Sequence, residues 1–268
     1  MRSTIAIPVT VHPTPEELGR AIAQRILGGI ERAAEENRRY LLGCPAGRTA
    51  VPVYAALGAL AGMTRFDLSG LVLVMMDEYL VDGPAGPALC DPRAHYSCRR
   101  FAEQEIRAVV NAKLPAPRQL PAAGVWCPAP ADPEAYDRRI RDAGGIDLFL
   151  LASGASDGHV AFNPPGSSAE VGTGIVALAE GTRRDNMATF PGFAAIAEVP
   201  RRGISIGLGT IAGLSRASVM ILHGAHKRQA ARRLLESRDF DPAWPATILH
   251  RCRHPEIHLD AVAAQEAA

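Results

Sequence analysis

Short apolar runs recur along this chain, and between most of them lies a segment with the spacing of a helix. Residues 40–44, 71–76, 146–152, 203–207 and 218–222 are too short for a helix and mostly apolar on both faces. That is the pattern of parallel strands buried between helix layers. The intervening segments carry helix signals. Thr14 reads as an N-cap, with Pro15 at the first helical position and Glu17 closing a capping box. Leu18, Ile22, Ile26 and Ile30 then form one apolar stripe at four-residue spacing. Asp132 caps a second helix that opens at Pro133, and further helices are expected over 97–110 and 225–236. Additional strands are expected near the N-terminus and over 174–178 and 256–259, and a Pro/Gly-rich loop over 81–94. With no internal repeat and no clear linker, this alternation predicts a single α/β domain over residues 1–268, its mainly parallel sheet covered by helices on both faces.

Composition narrows the function. A net charge of +1 without a block of like charges gives no basic face for nucleic acid. No run of 18 apolar residues is present, so no membrane span is expected. The five cysteines (Cys44, Cys90, Cys98, Cys127, Cys252) form no C-x-x-C pair, which argues against a disulfide framework or a zinc cluster and for a reducing cytoplasm. Lys113 and Lys227 are the only lysines among 29 basic residues, so a lysine marks a place where arginine was not used.

Polar residues gather where strands end, which is where open parallel sheets bind ligands. The run 146–152 leads to Ser153, Gly154 and then Asp157-Gly158-His159. A carboxylate beside an imidazole orients the ring and favours its protonated form, so Asp157 and His159 are a candidate acid/base pair. The same triplet also occurs as an ordinary turn. Asp77 and Glu78 follow the run 71–76; Asp77 is the candidate base, and Glu78 is expected to pair with an arginine. The loop 43–49 opens a helix, where backbone N–H groups attract phosphate, and Gly47, Arg48 and Thr49 are candidate anion-binding residues. Lys227, near another helix start, is a further candidate cation, although taken alone it reads more readily as a solvated surface lysine. The loop lacks the P-loop signature, so nucleotide hydrolysis is not indicated. His250, His254 and His258 are four apart, but Pro255 breaks any shared helix face, and they read as structural. His95 and Tyr96 are placed to close a pocket; His223 and His226 fit either ligand contacts or fillers.

Met76-Asp77-Glu78-Tyr79, Asp157-Gly-His-Val-Ala-Phe-Asn163 with Gly166-Ser-Ser168, and Gly207-Leu-Gly-Thr210 resemble the glucosamine-6-phosphate deaminase (isomerase) family, in the superfamily of 6-phosphogluconolactonase. The motifs run in family order over nearly the whole chain. The resemblance implies a Rossmann-like α/β fold acting on a hexose 6-phosphate with no metal or redox cofactor, and either monomers or homo-oligomers. By position, Asp77 would match the carboxylate that moves a proton between adjacent sugar carbons. His159 would match the ring-opening acid/base, with Asp157 orienting it. Gly47, Arg48, Thr49 and Lys227 would match phosphate-binding elements. Two positions depart from the family. Pro164 stands where a glutamate follows Phe-Asn, and Ala188 stands where a phosphate-binding arginine is found, with Arg48, Arg183 or Arg184 as candidate replacements. The leading expectation is a divergent sugar-phosphate isomerase or deaminase. A lactonase, in which Asp157 and His159 activate water, is the alternative, and a non-catalytic sugar-phosphate sensor ranks third.

Overall fold

The computed structural model describes residues 6–63, 66–84 and 86–265. In chain order its elements are β1 (Val9–His12), α1 (Pro15–Glu35), β2 (Tyr40–Cys44), α2 (Val51–Met63), β3 (Leu71–Met75), β4 (Asp77–Gly83), β5 (Gly86–Leu89), α3 (Cys98–Phe101), α4 (Ala108–Asn111), β6 (Val125–Trp126) and α5 (Pro133–Asp142). There follow β7 (Leu148–Ala152), β8 (Gly174–Ala177), α6 (Glu180–Thr189), β9 (Arg202–Ser205), α7 (Leu208–Leu214), β10 (Ser218–Leu222), α8 (Arg228–Glu236), β11 (Pro255–Asp260) and α9 (Ala261–Ala264). Both capped starts form as expected: Thr14 accepts from Glu17 N at 3.2 Å, and Asp132 accepts from Ala135 N at 3.0 Å.

Seven strands make a parallel sheet in the order β1-β11-β10-β7-β2-β3-β6. Successive strand residues serve opposite faces. Leu42, Leu73 and Leu150 join α1 and α2 in one core layer. Leu41, Val72, Val74 and Leu151 join α5, α7 and α8 in the other. The chain leaves β2 toward β3 and β6, then returns to place β7 on the other side of β2. The carboxyl ends of β2 and β7 therefore flank the topological switch point, where such sheets form ligand crevices.

A second sheet, β5-β4-β9-β8, is antiparallel and corrects three expectations. Asp77 opens β4, with Met76 alone between it and β3. The runs expected as main-sheet strands at 174–178 and 203–207 pair with β4's sheet instead. β8 is apolar along its length but alternates half-buried and exposed residues, as a one-sided antiparallel strand does, so its apolar run resembled a main-sheet strand. The segment 81–94 begins as the β4–β5 hairpin. The expected helix at 97–110 forms, with a π-helical stretch over Ala102–Arg107. The first strand begins at Val9, after Pro8; the expectation for residues 1–5 lies outside the described residues.

Candidate active site

A cavity of about 380 Å³ opens at the switch point. Gly47, Arg48, Thr49, Asp77, His159 and Lys227 all line it, and Asp157 stands directly behind His159. The seven residues singled out in the sequence, spread over 180 positions, therefore meet at one place.

Asp157 and His159 form a tight pair. His159 Nδ1 lies 2.6 Å from Asp157 Oδ1, and the same oxygen accepts from the His159 backbone N–H at 3.1 Å. The Thr182 hydroxyl donates to Asp157 Oδ2 at 2.9 Å. Burial works to raise the Asp157 pKa, but the bonds and charge of His159, with Thr182, outweigh it and hold the carboxyl at about 2. With Nδ1 committed to the carboxylate, Nε2 is the nitrogen left for proton transfer. Gly154 makes this approach possible: a Cβ there would collide with both His159 Nδ1 and Asp157 Oδ1. Gly158 turns the loop at φ +67° against the Trp244 ring.

Asp77 is buried, and its one side-chain hydrogen bond among the described residues comes from Cys98 Sγ at 3.2 Å. Desolvation pushes its pKa up to about 7; the Cys98 bond opposes the rise and neighbouring Glu78 adds to it. Glu78 does not pair with an arginine. Its oxygens accept from the backbone N–H groups of Tyr79, Cys98 and Arg99 and from the Ser97 hydroxyl at 2.8–2.9 Å. It thereby satisfies the first free N–H groups of α3, a role for which a carboxylate at a helix N-terminus is well suited.

The third end of the cavity is cationic. Lys227, 8% exposed, donates to Ser153 O at 2.6 Å and is no surface lysine. Burial pulls its pKa down to about 8; Asp185 works against that and Arg48 with it. His223 donates through Nε2 to Thr49 O at 3.0 Å, tying the β10 end to the β2 end. Arg48 is the arginine that reaches the cavity. Arg183 instead holds Ile196 O and Val199 O, and Arg184 pairs with Glu180 at the surface. Ala188 lines the cavity and brings no charge, and Pro164 is set apart from the lining.

The sequence did not mark the contribution of α6. Asp185, Asn186 and Thr189 line the cavity at helical spacing after Thr182. Asp185 accepts from Ala155 N at 3.0 Å and fastens the loop after β7. Asp157, His159 and Asp185 offer ligand atoms within 4.8 Å of one another, a set that could hold a metal ion. His95 packs on Phe193 at 4.6 Å between ring centres, and Tyr96 on Tyr79 at 5.3 Å; neither lines the cavity. His250 contacts Ser237 and His258 stacks on His12, and neither lines the cavity.

Fold and site together define an α/β protein with a hydrogen-bonded Asp–His pair, a separate buried carboxylate and a cationic pocket at one switch point. The chain belongs to the glucosamine-6-phosphate isomerases/6-phosphogluconolactonase family, whose model matches residues 13–258. It is 34% identical over 256 residues to a glucosamine-6-phosphate deaminase of Arthrobacter sp. (strain FB24), covering 96% of this chain and 91% of that one. It is 32% identical to one from Mycolicibacterium smegmatis, covering 96% and 91%. Among solved structures, a monomeric glucosamine-6-phosphate deaminase superposes with a TM-score of 0.79 at 25% identity, covering 97% of this chain and 99% of that chain. The 6-phosphogluconolactonase of Leishmania guyanensis shares the fold, with a TM-score of 0.71 at 16% identity over 98% and 100% of the two chains.

Proposed function

We propose that the chain, working as one unit, acts on a hexose 6-phosphate such as glucosamine 6-phosphate. Arg48, Lys227, Thr49 and the backbone at Gly47 hold the phosphate. His159, oriented by Asp157, moves a proton to and from the ring oxygen and the C1 hydroxyl, so the ring opens to the aldehyde. Asp77 then takes the proton from C2 and returns it to C1. With a 2-hydroxy sugar this gives the ketose. With a 2-amino sugar it gives a C2 imine, which water hydrolyses to the ketose and ammonia. Neither route changes the overall oxidation level, so this reading calls for no redox cofactor.

The observation that carries the reading is Asp77: a buried carboxyl raised to about 7, in the same cavity as an independent acid/base pair. A base that must take a weakly acidic C–H proton and give it back works best when its pKa lies near the working pH. The test is ammonia release from glucosamine 6-phosphate by the purified protein, with Asp77→Asn as control. Release that disappears in the variant supports deamination. No release from folded protein rejects deamination, and isomerisation of a 2-hydroxy hexose phosphate is then the next substrate to assay.

One observation favours a second reading, hydrolysis of a phosphosugar lactone. Pro164 supplies no carboxylate after Asn163, which leaves the Asp157–His159 pair as the group to activate water. Lactone hydrolysis no faster than the spontaneous rate excludes it. No helix among the described residues is long and apolar enough to cross a membrane, in keeping with a small-molecule enzyme of the cytoplasm.

A further inference from the structure

Cys98 stands in the cavity wall beside Asp77 and carries the one side-chain hydrogen bond that reaches it among the described residues. Other ionisable groups surround that carboxyl. Glu78 and Tyr79 share its strand, Tyr54 packs from α2 and Tyr136 from α5, and each is electrostatically coupled to it. His159, Lys227 and Arg48 line the same cavity. The polar atoms of the nearest ones are engaged elsewhere. Both Glu78 oxygens accept from the start of α3, the Tyr54 hydroxyl donates to Pro45 O at 2.9 Å, and the Tyr136 hydroxyl is 2.8 Å from Met75 O.

The thiol is aimed by its backbone. Cys98 opens α3 directly after its cap, Ser97, and its N–H donates to Glu78 Oε1 at 2.9 Å. The Ser97 hydroxyl and the Arg99 N–H donate to Glu78 Oε2 at 2.9 and 2.8 Å. Adjacent carboxylates of β4 therefore divide the work: Glu78 fixes the start of α3, and α3 sets Cys98 Sγ at 3.2 Å from Asp77 Oδ1. Burial pushes the Cys98 pKa well above the usual thiol range, and the Asp77 and Glu78 charges add to the rise, so the sulfur keeps its proton and remains a donor. Asp77 Oδ2 has no hydrogen-bond partner among the described residues, yet it is not one of the fully buried unpaired atoms. It accordingly keeps surface, and the cavity is what Asp77 lines.

We propose that Cys98 is a positioning residue for the proton transfer, its thiol pinning Asp77 Oδ1 so that Oδ2 is the oxygen presented to the sugar carbons. The inference rests on the reading of Asp77 as the base. The last torsion of an aspartate is broad and two-fold, so an unpinned carboxylate offers either oxygen. One bonded oxygen orients the group before the substrate arrives. A thiol suits this place because it is a weak donor. The Cys98 bond opposes the rise in the Asp77 pKa that burial brings and does not cancel it. A hydroxyl in its place gives a stronger bond to the carboxylate and a weaker base.

The test is a carbon-13 NMR titration of the Asp77 carboxyl, its signal identified by its absence from Asp77→Asn, in wild type, Cys98→Ala and Cys98→Ser. Loss of the donor is expected to raise the Asp77 midpoint by about one pH unit in Cys98→Ala, as for one weak bond to a charged group, and the hydroxyl of Cys98→Ser to lower it. The rising limb of kcat against pH is expected to move the same way in each variant, with KM unchanged. A purely structural role would lower kcat without moving the limb. A Cys98→Ala midpoint no higher than wild type, or two variants that shift in the same direction, overturns the proposal. If Cys98→Ala does not fold, Cys98→Ser decides alone, and a midpoint at or above wild type overturns it. A wild type that turns over no hexose phosphate overturns the proposed function and the positioning role with it, while the carboxyl titration distinguishes that failure from absence of the thiol contact.

Discussion

Replacing Asp77 by asparagine is expected to stop turnover and strengthen the fold at once, and the strengthening must depend on pH. The carboxyl rises from an ordinary 3.8 to about 7 because the buried site desolvates its charge. Below pH 3.8 the group is protonated in both folded and unfolded chains, so its pKa shift costs nothing. Between 3.8 and 7 only the unfolded chain ionises, and the folded state loses ground steadily. Above 7 both ionise and the full cost is present. About three pKa units at about 1.4 kcal/mol each make that cost about 4 kcal/mol. The asparagine carries no charge to desolvate, and its side-chain oxygen can still accept from Cys98. Asp77→Asn is therefore expected to match wild type near pH 4 and exceed it by about 4 kcal/mol at pH 9, roughly 10 °C in melting temperature for a chain of this size. Urea unfolding at pH 4.5, 7 and 9 reads the difference directly. Equal stability at all three values, or a variant weaker at pH 9, would refute the claim that this carboxylate is ionised at a desolvation cost.

Two further substitutions have expected outcomes. Asp157→Asn should lower turnover by about 10²–10⁴-fold through loss of imidazole orientation, with a smaller effect on KM. Its stability effect has the opposite pH sense to that of Asp77: a carboxyl held at about 2 stabilises above pH 3.8, and wild type's advantage of about 2 kcal/mol should vanish as pH falls through 2. Lys227, at about 8, loses its charge at lower pH than an ordinary lysine, so KM for a phosphosugar should climb above pH 8 in wild type. In Lys227→Met it should be high and flat. The same variant should be more stable at pH 7, a gain that fades between pH 8 and 10.5; a KM profile unchanged by the substitution would remove Lys227 from the phosphate site.

The parallel sheet was legible because its strands are apolar on both faces, and Leu41 and Leu42 each have a helix layer to enter. The Asp157–His159 pair was legible because two residues of one loop sufficed to make it. The second sheet was not legible. β8 and β9 are four residues each, and their partner strand is set by contacts such as Glu78 with Ile204, far apart in sequence. The partners of Glu78 were missed for a similar reason, because backbone N–H groups at a helix start leave no residue signature. On α6, the stripe Thr182, Asp185, Asn186 and Thr189 reads in sequence like any solvated helix face. Only the fold turns it toward the cavity.

The single residue between β3 and β4 has a consequence for how the two chemical steps are kept together. Asp77 rides on the antiparallel sheet, whereas His159 rides on a loop of the parallel one. Their separation is thus a property of how two sheets are stapled. The staples include Phe162 N to Ser205 Oγ at 3.0 Å and Asn163 Nδ2 to Ile206 O at 2.8 Å. Loosening Asn163 would leave each half of the machinery intact and put them out of step, so that a sugar could be uncurled yet not rearranged. In this architecture the spacing between the proposed proton donor and proton acceptor is an adjustable dimension, tuned by hydrogen bonds that need never touch the substrate.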